Sequence, residues 1–152
     1  MNAPSRFIPK DPSFEERVRH SFSRQKAMGL VGARLTLVEP GLVEIELPFR
    51  DELTQQKGYV HGGIIGMIAD SAAGYAAYTL MPASASLVTV EYKMNILAPG
   101  IGSLRARGEV IRPGRTLTVA RAEVYAGDGA HVASMQQTLM MLADTSDHPD
   151  PA

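Results

Sequence analysis

The chain has 152 residues, no cysteine and a formal net charge of −1, the size of one domain able to close a single core. The near-neutral balance excludes the basic footprint of a nucleic-acid binder or an acidic-lipid surface. The lack of cysteine excludes disulfides, thiolate catalysis and cysteine-ligated zinc, and fits a reducing cytoplasm.

The first residues, MNAPSRFIPK, lack the apolar core of a signal peptide. They read as loose, or draped over a partner. Ser13 and Glu16 have the spacing of a capping box. Phe14, Val18 and Phe22 then mark one face of a helix, with Gly29 as its expected stop. From Ala33 the period changes to two. Val43, Ile45 and Leu47 alternate with Leu42, Glu44 and Glu46, and Glu39-Pro40-Gly41 is turn chemistry between two strands. Residues 48–60 are irregular.

Residues 58–78, GYVHGGIIGMIADSAAGYAAY, follow as a second helix that Pro82 closes. Its length would suit a bilayer. Asp70 in mid-span and the glycines at 62, 63, 66 and 74 speak against that, because a charge at the bilayer centre costs several kcal/mol. Four strand patterns come next. Val88 to Ile96 alternates with Thr89, Glu91, Lys93 and Asn95. Leu104 to Ile111 turns at Arg112-Pro113-Gly114-Arg115 into Leu117 to Tyr125, and Gly127-Asp128-Gly129 leads to Val132 to Leu142. The tail from Asp144 is polar. The whole reads as a single domain, 1–152, with a core of roughly 30–143 and flexible ends at 1–12 and 144–152.

Short connections make the sheet antiparallel. The long helix is apolar or tiny on nearly every side, so it must be surrounded. A curved antiparallel sheet wrapped around one helix achieves this. The class is α+β, with five to six strands, one central helix and an N-terminal amphipathic helix.

Asp70 is the one carboxylate in the buried run. Gly62 stands in the first helical turn, where backbone N–H groups lack intrahelical partners and carry partial positive charge. Such groups suit a developing oxyanion. Asp70 lies eight residues on, about 12 Å along the axis. One helix therefore cannot offer both to the same carbonyl. A site joining the helix start of one subunit to the mid-helix of another can, twice, in a two-fold dimer. Taken alone, without the HGG spacing, Asp70 reads as a structural carboxylate and His61 as a structural residue. Ser71 lies in no G-x-S-x-G elbow. His20, His131 and His148 are scattered without ligand spacing, and Met135, Met140 and Met141 read as core.

The pattern of Gln55, His61-Gly62-Gly63 and Asp70, with the later strand TVEYKMNILAPG and the hairpin RPGRT, resembles the PaaI-like branch of the hotdog-fold acyl-CoA thioesterases, in the 4-hydroxybenzoyl-CoA thioesterase superfamily. The resemblance implies a hotdog fold, a homodimer that pairs into a dimer of dimers, and hydrolysis of an acyl-CoA. It implies no metal and no cofactor, CoA being part of the substrate. It also implies roles. The Gly62 N–H polarises the thioester carbonyl. Asp70 of the facing subunit activates water or attacks directly. Gln55 lies near the carbonyl or carboxylate, and His61 orients the loop and assists near the leaving sulfur. Thr89 helps to hold the water. Gly63 and Gly74 join the substrate-binding set. Gly74 stands where aromatic-CoA relatives carry a hydroxyl, which favours a plain acyl chain or broad specificity. Arg112 and Arg115 flank the hairpin turn. They read either as a solvated tip or, with Gly114 and Arg115 as the substrate contacts, as a place for CoA phosphates. Two rivals stand beside hydrolysis: a hotdog module that binds acyl-CoA or an acylated carrier without turnover, and a hotdog dehydratase.

Overall fold

Phe14, Val18 and Phe22 do share one face of a helix, α1 (Phe14–Arg24), and Val18 is fully buried. The computed structural model describes residues 5–145; of the expected flexible ends at 1–12 and 144–152, residues 1–4 and 146–152, and with them His148, lie outside the described residues. The capping box does not form, since Ser13 is the N-cap residue but its hydroxyl makes no cap bond. Instead Asp11 Oδ1 accepts from the Ser13 N–H at 2.9 Å, an Asx turn. Asp11 Oδ2 pairs with Arg17 Nε at 2.9 Å.

Nor does this helix run on to Gly29. It breaks at Gln25, where the backbone is extended, and a short α2 (Lys26–Val31) follows, closed by Gly32 at φ 75°. Ser23 Oγ donates to the His20 carbonyl at 2.7 Å, the back-bonding by which serine loosens a helix. Residues 5–7 are not loose but lie on the chain's own sheet. Ser5 Oγ donates to the Pro40 carbonyl at 2.8 Å and Arg6 to the Val110 carbonyl at 2.9 Å.

The six strands are β1 (Arg34–Glu39), β2 (Leu42–Leu47), β3 (Ser86–Ile96), β4 (Leu104–Pro113), β5 (Leu117–Ala126) and β6 (His131–Leu142). They form one antiparallel sheet in the order β1-β2-β4-β5-β6-β3. The long helix, α3 (Gly62–Tyr78), lies against it. Gly108 of β4 sets the depth of that seat. A Cβ there would stand 2.2 Å from the Ala72 carbonyl carbon and oxygen, so helix and strand meet backbone to backbone.

Arg17 ties α1 to the far end of α3. Its guanidinium donates to the carbonyls of Tyr78 (3.1 Å), Met81 (2.8 Å) and Pro82 (3.1 Å). The Tyr78 carbonyl is the last of α3, and those of Met81 and Pro82 lie in the turn beyond it. The expected enclosure of α3 holds for residues 72–78, which are all buried. At its other end His61 and Gly63 are exposed, and Gly62, Ile64, Met67, Asp70 and Ser71 are half-buried. No helix among the described residues is long and apolar enough to cross a membrane.

β3 departs from simple alternation. Its register with β6 shifts between Thr89 and Glu91, a bulge that reverses the phase of the strand. Thr89 therefore shares a face with Tyr92, Met94 and Ile96, and all four reach α3. β3 is also an edge strand, eleven residues long and apolar yet open, with Val90 54% and Tyr92 48% exposed.

On the sheet surface away from α3, a ladder of charges crosses three strands. Arg107 bonds Glu44 (2.7 Å) and Glu109 (3.1 Å), and Arg121 bonds Glu109 (2.8 Å). The hydrogen bond from Arg121, with a second from Arg107, holds the Glu109 carboxyl below the usual range despite partial burial.

Candidate active site

His61 opens α3 by capping it. Its Nδ1 accepts from the Gly63 N–H at 2.9 Å, and its carbonyl accepts from Ile64 (2.9 Å) and Ile65 (3.1 Å). An accepting Nδ1 leaves the ring proton on Nε2. Of the first helical N–H groups, that of Gly62 alone makes no hydrogen bond among the described residues. A single unpaired donor thus stands at the positive end of α3, beside the Ile96 side chain. The Gly63 N–H is already taken, so Gly63 offers a substrate no donor.

The second centre lies in mid-helix. Thr89 Oγ1 donates to Asp70 Oδ1 at 2.8 Å, which leaves Oδ2 for another partner. Under the helix, Gln137 is completely buried on β6 and its Nε2 donates to the Asp70 carbonyl at 3.3 Å. The carboxylate borders a cleft of about 130 Å³ between Asp70, Gly74 and Tyr75 of α3, Thr89 of β3, and Ser21 and Gln25 of the N-terminal helices. Ser71 Oγ donates to Gln25 Oε1 across it at 3.3 Å.

The structure therefore brings Asp70, Thr89 and Gly74 together, and His61, Gly62 and Gly63 together, in two groups. A regular helix from Gly62 to Tyr78 keeps the groups about 12 Å apart along its axis. Gln55 joins neither. Its side-chain oxygen accepts from the Lys57 N–H inside the tight turn at 55–59. Gly114 and Arg115 border a different recess of about 300 Å³, with Lys10, beside the C-terminal end of α3. A Cβ on Gly114 would stand 2.1 Å from the Leu117 carbonyl oxygen, so this glycine closes the hairpin. Among the described residues no three His, Asp or Glu side chains converge as a metal site would require.

Gln25, Ser21 and Gln137 belong to the site but carry no motif. Gln137 had one signal: it breaks the apolar phase of Met135 and Leu139 on an inward-facing strand. Gln25 had none, because its place depends on the helix break.

The family model of the Thioesterase superfamily matches residues 57–133. A crystal structure of a thioesterase family protein from Silicibacter pomeroyi superposes with a TM-score of 0.83 at 46% identity, over 86% of this chain and 98% of that one. The PaaI protein of Escherichia coli, described as from the phenylacetic acid degradation operon, superposes with a TM-score of 0.81 over 88% of this chain and 96% of its own. At 17% identity it shows the fold. A protein of Saccharolobus solfataricus named as a putative esterase is 38% identical over 93 residues, 60% of this chain. That match spans 66% of the relative, just under two thirds of its length. The chain belongs to the thioesterase superfamily, with the hotdog fold that the PaaI protein shares.

Proposed function

We propose that the protein hydrolyses acyl-CoA thioesters in the cytoplasm, at two equivalent sites shared across a homodimer. The observation that carries this reading is the pair of half-sites on one helix, each complete in what the other lacks. The Gly62 N–H is an unpaired donor without a base, and Asp70 is an oriented carboxylate without a donor for an oxyanion. Antiparallel packing of two α3 helices about a two-fold axis supplies each with the other. The open apolar edge of β3 supports the pairing, since a second copy would extend the sheet and cover Val90 and Tyr92. A dimer of dimers is a further step of the same kind.

In this reading, Asp70 Oδ2 takes a proton from a water while Thr89 holds Oδ1. The hydroxide attacks the carbonyl carbon, and charge gathers on the oxygen facing the partner's Gly62 N–H. Collapse breaks the C–S bond, and the CoA thiolate takes the proton that Asp70 held. The products are a free acid and CoA. His61 acts here by capping the helix, which points the Gly62 N–H outward. Arg115 and Lys10 are the basic groups we assign to the CoA phosphates.

Free-thiol release from short, long, phenylacetyl and hydroxybenzoyl CoA esters tests the proposal. Wild type releases thiol, and Asp70→Asn loses most turnover while still binding CoA. Full turnover in that variant refutes the assignment. Binding without release by wild type makes the protein an acyl-CoA binding module, and an enoyl product makes it a dehydratase.

A further inference from the structure

Asp70, Gly74, Tyr75 and Tyr78 recur along one face of α3, so the cleft beside Asp70 runs toward the C-terminal end of the helix for about 12 Å. Leu87 and Thr89 of β3 form one side, and α1 with the break at Gln25 forms the other. The far end is closed by aromatic rings. Tyr75 packs edge-on against Phe22 (5.8 Å) and Tyr78 (6.2 Å), and the Arg17 guanidinium covers Tyr78 at 4.2 Å. Ser21 Oγ and the Tyr75 hydroxyl are hydrogen-bonded at 3.2 Å in that wall. Ser21 and Tyr78 also face a separate surface recess of about 490 Å³, so these two side chains stand between that recess and the cleft.

Its volume, about 130 Å³, is close to the roughly 150 Å³ of a cavity that holds one benzene. Its walls are not hydrocarbon. Gln25 Oε1 is occupied by Ser71 Oγ, and Gln25 Nε2 has no protein acceptor among the described residues. That amide is half-buried and its two N–H groups remain for an oxygen in the cleft. A plain alkyl group would strip these donors of water and return nothing.

We infer that the acyl pocket is formed within one subunit by the break between α1 and α2, and takes a compact acyl group of about benzene size that carries a hydrogen-bond acceptor, with Gln25 as the residue that selects it. The inference rests on the thioesterase reading. It narrows the expectation of a plain acyl chain or a broad specificity, which was tied to Gly74 alone. Gly74 does leave room, the nearest side-chain atoms to a Cβ there being 3.7 and 4.0 Å away, but the polar groups enter from the opposite wall.

The test is free-thiol release from pentanoyl-CoA, 4-oxopentanoyl-CoA and dodecanoyl-CoA, with wild type, Gln25→Leu and Gln25→Glu. Wild type is expected to favour the oxo ester over pentanoyl-CoA by about tenfold in kcat/KM, the worth of one hydrogen bond, and to handle dodecanoyl-CoA at least tenfold worse. Gln25→Leu should bring the oxo-to-plain ratio near one. Gln25→Glu, which keeps the size but replaces the donor with an acceptor, should also abolish the preference. An oxo-to-plain ratio that is the same in wild type and both variants, or a wild-type preference for the dodecanoyl ester, overturns the inference while turnover upholds the thioesterase. No release from any of the three esters, or from the wider panel, overturns both.

Discussion

Gly62→Pro isolates the one unpaired N–H of α3 with little other change. Proline is favoured at the first helical position, where its missing donor has no intrahelical partner. Gly62 occupies that position. Proline also requires an extended residue before it, and His61 is already extended at φ −59°, ψ 136°. The Gly63 and Ile64 N–H bonds to His61 are untouched. The one close approach is Ile96 Cδ1, 3.0 Å from a Cβ at 62, the end of a flexible side chain. Folding should be unharmed, with about 0.4–1 kcal/mol gained from a stiffer unfolded chain. The lost oxyanion donor should lower kcat by about 100- to 1,000-fold, or about 3–4 kcal/mol. Steady-state thiol release, beside a thermal melt, reads both quantities. Gly62→Ala, which keeps the N–H, should lose far less. A Gly62→Pro protein that melts normally and keeps wild-type kcat would refute the role of this donor.

Thr89→Val removes a 2.8 Å bond to a carboxylate. Bonds to charged groups are worth about 1.5–3 kcal/mol, so kcat/KM should fall by about 10- to 100-fold, and Thr89→Ser should recover most of it. Gly108→Ala places a carbon 2.2 Å from the α3 backbone, where Gly127→Ala meets nothing within 4 Å. The first should cost about 3 kcal/mol of overpacking and lower Tm by about 6–12 °C; the second should leave Tm unchanged. Glu109 has a lowered pKa, so its stabilising contribution is present above the ordinary glutamate value of 4.5 and is lost as pH falls through the lower folded value. Urea unfolding should show wild type more stable than Glu109→Gln at neutral pH, with the gap closing on acidification below about 4.5. A gap that widens there would contradict the sign of the shift.

Much of the fold follows from period and punctuation. Val43, Ile45 and Leu47 are inward because alternation puts them there, and the hairpin at Pro113-Gly114 lies where its turn residues are. The placement of His61-Gly62-Gly63 and Asp70 at a fixed distance on one helix was also readable. What escaped depends on contacts between distant segments. Strict alternation puts Thr89 on the face of Glu91 and Lys93, and only the bulge, set by pairing with β6, turns it toward Asp70. Gln25 enters the cleft because α1 breaks there, against the simple helix that Phe14, Val18 and Phe22 suggest. Ser13 and Glu16 fit a capping box, yet Asp11 supplies the bond at that end. Arg6 and Ser5 look like a free end but find carbonyls on the sheet.

The central claim is that each site takes Gly62 from one subunit and Asp70 from its partner. Mixing the Gly62→Pro and Asp70→Asn proteins, with exchange of subunits, tests it most directly. Random pairing makes half of the dimers mixed, and one of the two sites in each is intact, so about one quarter of wild-type thiol release should return. Two inactive proteins that remain inactive after demonstrated exchange would place both groups in one subunit and contradict the account.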